Sequence, residues 1–463
     1  MDVVQRLRGE LGEAVSTDVA ALTASRRDRS GWTSDGVPLA VVRPTEVAEV
    51  QAVMRLASAT RTPVVPRGTG TGLAGGAAGT VDSIVLDLSR MDRILEIRAD
   101  DELAVVQAGV INQALDDALA PLGLWFAPDP ASKAISSIGG NIATNAGGLL
   151  CAKYGVTREA VLGLAVVLAD GRLIRTGHRT VKGVTGYDLT GLLTGSEGTL
   201  GVIVEATVRV RPLPVGEVAT IGAFFADVAA AAAAAAAITA ARLRPAVMEI
   251  LDGAALSAIT RYLGQAGLAG TPLARLSSGS TTEASYLLVQ CDGASAGDEA
   301  AEVLVILGSL GAEARLSASR EEGERLLRIR RSFHPALAAE GEVLIEDVSV
   351  PRSRMAEMFR QIAAIGERFG VAIPTVAHAG DGNLHPNFVF GGGEVPEHVW
   401  AAADELFRAA LTLGGTLTGE HGVGVLKRRW LAEELGDDGY ELQRRLKEVF
   451  DPLGILNPGK MFD

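Results

Sequence analysis

The sequence predicts a mixed α+β chain of more than one domain, and three observations carry that reading. Short β-branched runs bounded by Gly, Pro and Asp alternate with helical patterns through the first half. A Pro-rich stretch, RPLPVGEV at 211–218, then reads as a hinge, and the texture changes beyond it. A length of 463 residues, at roughly 150 per domain, sets a soft prior of about three domains.

The elements follow in order. MDVVQRLRGELGEAV alternates charged and apolar residues as an amphipathic helix does, so 1–37 is read as an N-terminal helical segment. Between 38 and 215 the runs AVVRP, TPVVPRGTGTG, SIVLDLS, LAVVQAG, LGLAVVLADGRLI and LGVIVEATVRVRP are strands, with helices at 46–59 and 111–121. This is an α+β or α/β domain with more strand than a regular βαβ repeat gives. Beyond the hinge, 228–241 is nearly all alanine, the best helix former, and is read as a buried or half-buried helix. MEILDGAAL, SYLLVQCDG, a helix near 298–310 and the strand GEVLIEDVSVP suggest a smaller α/β sandwich with antiparallel potential over 216–400. Helices at 400–413 and 431–450 lead to DPLGILNPGKMFD, and 401–463 is expected to pack back on the first domain.

Composition excludes several classes. Lys+Arg 43 against Asp+Glu 56 gives −13, so the chain has no basic footprint for nucleic acid or anionic lipid. Two cysteines, Cys151 and Cys291, are too few for a disulfide framework or a cysteine-ligated iron–sulfur cluster. The N-terminus lacks the parts of a signal peptide, and no uncharged apolar run is long enough to span a bilayer. A soluble cytoplasmic protein is the expectation, with peripheral membrane association left open.

Glycine is the outlier: 55 of 463 residues is about 12%, against roughly 7% in ordinary chains. Much of the excess falls in three segments. Pro66–Gly76 (PRGTGTGLAGG) follows a strand, and its alternate glycines free backbone N–H groups to form an anion-binding nest. It is neither a Walker A loop nor a Rossmann turn. The second is SSIGGNIATNAGG at 136–148, preceded by Pro128-Asp129-Pro130, and the third is LTGSEGTLGVI at 193–203. Each alone reads equally as a surface turn. A long ligand lying across the domain explains all three together.

PRGTGTGLAGG, GGNIATNAGG, KYGVTREAVLGLAVVLADG and LTGSEGTLGVI, in that order, resemble the FAD-binding domain of the vanillyl-alcohol-oxidase/p-cresol-methylhydroxylase flavoprotein superfamily. Within it the chain resembles the FAD-dependent D-2-hydroxyacid dehydrogenases, the D-lactate dehydrogenase and glycolate oxidase FAD-subunit type, from about Pro38 to NPGKMF. The resemblance implies a two-subdomain FAD-binding domain, an α/β substrate (cap) domain with an antiparallel sheet and a C-terminal helical segment. It implies FAD contacts at Pro66, Arg67, Gly68, Thr69, Gly70, Thr71 and Gly72, and at Pro128, Ser137, Ile138, Gly139, Gly140, Asn141, Asn145 and Gly148. Glu197, Gly198, Ile203 and Asn457 complete the set. Members that link flavin covalently often use a histidine near the first loop; here none precedes His178, so noncovalent FAD is expected.

Six histidines occur, and three concentrate in VAHAGDGNLHPN (His378, His385) and TLTGEHGVG (His421). Gly380-Asp381-Gly382 resembles a tight turn between extended arms, which would bring two imidazoles to one point. Two His and one carboxylate with an open position form a catalytic zinc set. The residues equally allow histidines hydrogen-bonded in a core. The resemblance implies a divalent metal, Zn²⁺ or another ion, on His378, His385 and Glu420, His421 as catalytic base, and Asn387 on substrate. Of Arg328, Arg330 and Arg331, at least two read as a solvated helix face, and resemblance to an L-x-R-I-R pattern favours Arg330 as the substrate-carboxylate anchor. His178 and His398 are read as structural, and His334 is retained as a substrate-side candidate.

In the 2-hydroxyglutarate branch of the family a lysine precedes the D-V-S-L-P segment; this chain has Ile345 and Glu346 there, which favours a short monocarboxylate. The expected reaction is oxidation of a D-2-hydroxyacid to the 2-oxoacid, the Cα hydride passing to flavin N5 while His421 takes the hydroxyl proton. An external acceptor (quinone, carrier protein or O₂) must reoxidise the flavin, and a homodimer is among the assemblies open to the chain. The alternatives are a D-2-hydroxyglutarate dehydrogenase, a glycolate oxidase FAD subunit needing partner chains and, from another class, a zinc hydrolase, which leaves the Gly-rich segments unexplained.

Overall fold

The computed structural model describes residues 2–269, 271, 274 and 284–462. It divides into two compact units: 1–148 with 155–213 and 420–463, and 149–154 with 214–419.

The first unit is built on two main sheets. In one, Ala40–Val42, Ile84–Asp87 and Val64–Arg67 run parallel, with the short strand Val15–Ser16 antiparallel at one edge. Their runs AVV and IVL are buried on both faces, which is why they read as unbroken apolar stretches. The helix Val47–Thr60 packs Val50, Val53, Met54, Leu56 and Ala57 inward, and Glu49 closes its N-terminus by accepting from the N–H groups of Thr45 (2.6 Å) and Glu46 (3.2 Å). The other sheet is antiparallel, in the order Ile94–Arg98, Leu103–Gln107, Val202–Arg209, Val161–Val167, Leu173–Gly177. The C-terminal residues return to the first sheet: the Val64 N–H donates to Ile455 O (2.7 Å) and the Asn457 N–H to Val64 O (2.8 Å).

The second unit carries an antiparallel sheet in the order Glu313–Leu316, Ala219–Phe225, Ser285–Cys291, Val247–Leu251, Thr375–His378, Asn383–Phe390, Glu342–Ile345, with Val348–Ser349 also paired to Asn383–Phe390. The alanine helix forms over Val228–Ala240, capped by the Asp227 carboxylate, which accepts from the Ala230 N–H at 2.8 Å. It packs against the helix Met355–Phe369.

The seam between units crosses the expected hinge at 213/214 but falls at 419/420 rather than near 400. The helix Glu397–Thr412 buries Val399, Ala402, Ala403, Leu406, Phe407 and Ala410 and packs on Met355–Phe369, which holds it in the second unit. An amphipathic pattern shows that a helix has a buried face, not which neighbour covers it. No helix among the described residues is long and apolar enough to cross a membrane.

Candidate flavin cradle and histidine site

In the first unit the three Gly-rich segments converge. A Cβ on Gly68 would lie 2.4 Å from Ser137 Oγ, and one on Gly198 3.2 Å from Pro66, so the first loop touches both others at glycines. The second and third are joined by the Gly195 N–H donating to Ile142 O (2.9 Å) and the Glu197 N–H to Ala143 O (2.8 Å). Gly148 passes so close to Asp129 that a Cβ would sit 2.3 Å from its carbonyl oxygen.

Among the described residues of these segments, Thr69 Oγ1 on the first loop and Asn141 Nδ2 on the helix Ile138–Thr144 are buried without a hydrogen-bond partner, as is Ser136 Oγ. A buried polar group without a partner costs free energy, so a loop–helix pair presenting one acceptor-donor hydroxyl and one amide donor fits a polar ligand such as FAD. These atoms would hold the cofactor, with the glycines letting backbone approach it.

Other residues expected to touch FAD have structural tasks. Glu197 is buried and its carboxylate accepts from the Val423 N–H (2.7 Å) and Gly424 N–H (2.8 Å). Burial pushes its carboxyl up to about 7, against the pull of those N–H groups and of Lys427 and Lys460. Arg67 donates to Ala77 O (2.8 Å) and Arg27 O (3.0 Å), bracing the loop's ends. Asn457 Nδ2 ties Gly76 O (3.0 Å) to Glu197 O (2.7 Å), while its Oδ1 stays unpartnered. Asn145 holds a left-handed turn (φ 51°) and accepts from the Arg158 N–H at 2.9 Å. Pro128 O accepts from Asn112 Nδ2 (3.1 Å), and Ile203 begins a register shift against the strand Val161–Val167. Lys460, which no sequence argument singled out, donates to Gly75 O at 2.9 Å and pins the end of the first loop.

In the second unit the turn expected at 380–382 closes a β-hairpin between Thr375–His378 and Asn383–Phe390. Gly382 is required there: its φ is +93° and a Cβ would meet Val350 O at 2.2 Å. Strand alternation puts Asn383, His385 and Asn387 on one face, with His378 directly across from Asn383. The imidazoles of His378 and His385 lie 4.8 Å apart at 82°. Glu420 follows Gly419, the last residue of this unit; ligand atoms of His378, His385 and Glu420 lie within 4.8 Å of one another. Two buried imidazoles and a half-buried carboxylate in that span fit a divalent ion. Asn383 Oδ1 and Asn387 Oδ1 on the same face are buried without partners.

Of the three arginines, Arg328 and Arg331 are exposed and Arg330 is buried. Its partner was not foreseen: Arg330 Nε and Nη2 donate to Glu249 Oε2 at 2.7 and 2.6 Å. The other oxygen, Glu249 Oε1, accepts from His378 Nδ1 at 2.6 Å. The signal was a lone glutamate inside the apolar run VMEIL, since an unpaired charge is almost never buried. Asp347, also missed, accepts from Thr418 Oγ1 (2.9 Å) and the Gly419 N–H (2.6 Å). His421 is half-buried directly after Glu420. His334 is exposed, its ring 5.3 Å from that of Phe333 at a tilt of 54°; His178 and His398 are exposed.

Two family models match the chain. A family described as FAD binding domain matches residues 38–177, and FAD linked oxidases, C-terminal domain, matches 216–461. The glycolate oxidase subunit GlcD of Bacillus subtilis is 41% identical over 433 residues, 92% of this chain and 89% of that protein. A D-lactate dehydrogenase of Archaeoglobus fulgidus is 36% identical, covering 91% and 90%. A crystal structure of p-cresol methylhydroxylase with substrate bound shares the fold, with a TM-score of 0.79 at 19% identity over 100% of this chain and 96% of that one. With a glycine cradle that fits FAD and family matches over both halves, the chain belongs to the FAD-linked oxidases, on the vanillyl-alcohol-oxidase/p-cresol-methylhydroxylase fold.

Proposed function

We propose that the chain oxidises a short D-2-hydroxyacid, of the D-lactate or glycolate type, to the corresponding 2-oxoacid. The observation that carries this reading is the hairpin face bearing His378 and His385, with Glu420 in reach, in a chain that also holds a flavin cradle. Relatives named D-lactate dehydrogenase and glycolate oxidase subunit support it.

FAD, when bound noncovalently, accepts two electrons with the Cα hydrogen, and a divalent ion such as Zn²⁺ on His378, His385 and Glu420 would polarise the substrate hydroxyl. His421 takes the hydroxyl proton on a ring nitrogen, a task suited to a group whose ordinary pKa is about 6.5. Asn387 Oδ1, buried and unpartnered on the hairpin face, lines the substrate's side of the site and helps to shape it. Arg330 supplies positive charge on the carboxylate side. Ile345 lies directly across from Asn387 in the neighbouring strand, and Glu346 beside it is buried, so an apolar and an acidic side chain stand where a second substrate carboxylate would need a cation. A short monocarboxylate suits that wall. Reoxidation of bound FAD would need an external acceptor.

An anaerobic panel of 2-hydroxyacids read by flavin bleaching tests this. D-Lactate or glycolate should bleach the flavin, L-lactate should not, and kcat/KM for D-lactate should exceed that for D-2-hydroxyglutarate. Bleaching by no D-2-hydroxyacid, or the reverse order of kcat/KM, overturns the assignment. The subunit name of the Bacillus relative favours a second reading in which partner chains are needed; turnover of D-lactate by the chain alone with a dye acceptor decides against it.

A further inference from the structure

Glu249 has no part in the reaction just described, yet it is a fully enclosed acidic side chain beside the histidine hairpin. It sits in the strand Val247–Leu251, every residue of which is buried, and is itself fully buried. Its strand register places it directly opposite His378. One carboxylate oxygen receives His378 Nδ1 at 2.6 Å; the other receives Arg330 Nε and Nη2 at 2.7 and 2.6 Å. Arg330 is carried by the helix Arg320–Arg331 on the same face as Leu326, Leu327 and Ile329, so the guanidinium is held by packing as well as by charge.

We propose that Glu249 is the positioning residue that makes His378 a metal ligand, and that Arg330 acts first on Glu249. An ionised carboxylate only accepts hydrogen bonds. One Glu249 oxygen is taken by the Arg330 guanidinium, which can only donate, and the other lies against His378 Nδ1. With Nδ1 held by Glu249, Nε2 is the ring nitrogen turned away from it, the side on which an ion would be bound. A carboxylate behind a ligating imidazole fixes its tautomer and ring orientation and raises its basicity. Glu249 therefore needs both oxygens as acceptors at once, one for the imidazole and one for the guanidinium. A carboxamide of the same shape cannot serve both: it turns an N–H either toward His378 Nδ1 or toward Arg330. The inference rests on the metal reading above, and it assigns both partners roles that chelation by the hairpin alone does not require.

The test is Zn²⁺ affinity of the chelator-treated, flavin-loaded full chain, measured by competition with a chromophoric chelator. Wild-type protein should bind one Zn²⁺ and His378→Ala should lose it; a wild-type protein that binds none overturns the metal reading and this inference with it. Given wild-type binding, Glu249→Gln should weaken Zn²⁺ by roughly 10–100-fold, and wild-type affinity in that variant overturns the inference while leaving the metal reading standing. The double variant Glu249→Gln with Arg330→Met supplies the second arm and serves also if the single variant folds poorly. With the guanidinium gone, the carboxamide oxygen is free to accept from His378 Nδ1–H, so Zn²⁺ affinity should recover to within a few-fold of wild type. A double variant that folds, shown by its flavin spectrum and melting curve, but binds Zn²⁺ no better than His378→Ala refutes the proposed relay. A purely structural role for Glu249 predicts no such rescue.

Discussion

Replacing Asp347 by asparagine should loosen the stem that carries Glu420 and His421 without disturbing the flavin. Asp347 is fully buried, and two donors converge on its carboxylate. Thr418 Oγ1 lies 2.9 and 3.2 Å from its two oxygens, and the Gly419 N–H donates to Oδ2 at 2.6 Å. A carboxamide whose oxygen accepts from the Gly419 N–H turns its N–H toward Thr418 Oγ1, so in Asp347→Asn the Thr418 hydroxyl must accept and its own proton loses Asp347 as acceptor. A buried donor left without an acceptor costs about 1–3 kcal/mol. In a unit of roughly 200 residues each kcal/mol moves Tm by about 2–4 °C, which gives a loss of about 2–12 °C. Asp347→Ala strands both donors, and its loss should be roughly twice as large. The residues after Gly419 are the third proposed metal ligand and the proposed base, so turnover of D-lactate should fall more than stability alone explains. Flavin content should stay at the wild-type level, because the FAD-binding match lies at 38–177, in the other unit. Melting curves, flavin absorbance and dye-linked turnover measure the three quantities. An Asp347→Asn protein with wild-type Tm and wild-type turnover would refute the reasoning.

Two further outcomes are expected. Acid precipitation should release yellow FAD into the supernatant, since no histidine stands near the first loop to carry a covalent link; flavin retained in the pellet contradicts this. Melting temperature should fall as pH rises from 6 to 8: burial raises Glu197 to about 7 from its ordinary 4.5 and Asp252 to about 7 from 3.8. For both, the folded value lies above the unfolded one, so their contribution to stability is full below the unfolded value and lost as pH passes through about 7. Lys460, lowered to about 8 by burial, has the opposite sign: its contribution is present above its ordinary 10.5 and lost as pH falls through about 8. A melting temperature that is flat or rising between pH 6 and 8 contradicts these assignments.

What the sequence made legible is what is encoded locally. Gly382 at φ +93°, Gly70 at +71° and Gly75 at +79° are demanded by the backbone path itself, so the hairpin and a tight Gly-rich loop could be read from spacing. The exposure of Arg328 and Arg331 against the burial of Arg330 follows from helical periodicity over ERLLRIRR. Glu249 was read only as part of a strand because its partners are 81 and 129 residues away. Glu197, which the resemblance places at the flavin, also holds N–H groups 226 and 227 residues further along the chain, a pairing that leaves no local mark. The helix Glu397–Thr412 shows its amphipathic pattern in the sequence but not the helix it meets, Met355–Phe369. Long-range pairing of buried charge, unlike turn geometry, leaves only a faint mark: a carboxylate where an apolar residue was expected.

The most direct test of the central claim pairs metal analysis with anaerobic flavin reduction by D-lactate in His378→Ala and His421→Ala proteins. His378→Ala should lose the metal and reduce its flavin slowly while keeping the oxidised flavin spectrum. His421→Ala should keep the metal and lose a general base, a contribution of roughly 10²–10⁴-fold in rate. Flavin reduction at the wild-type rate in metal-free His378→Ala protein would contradict the account.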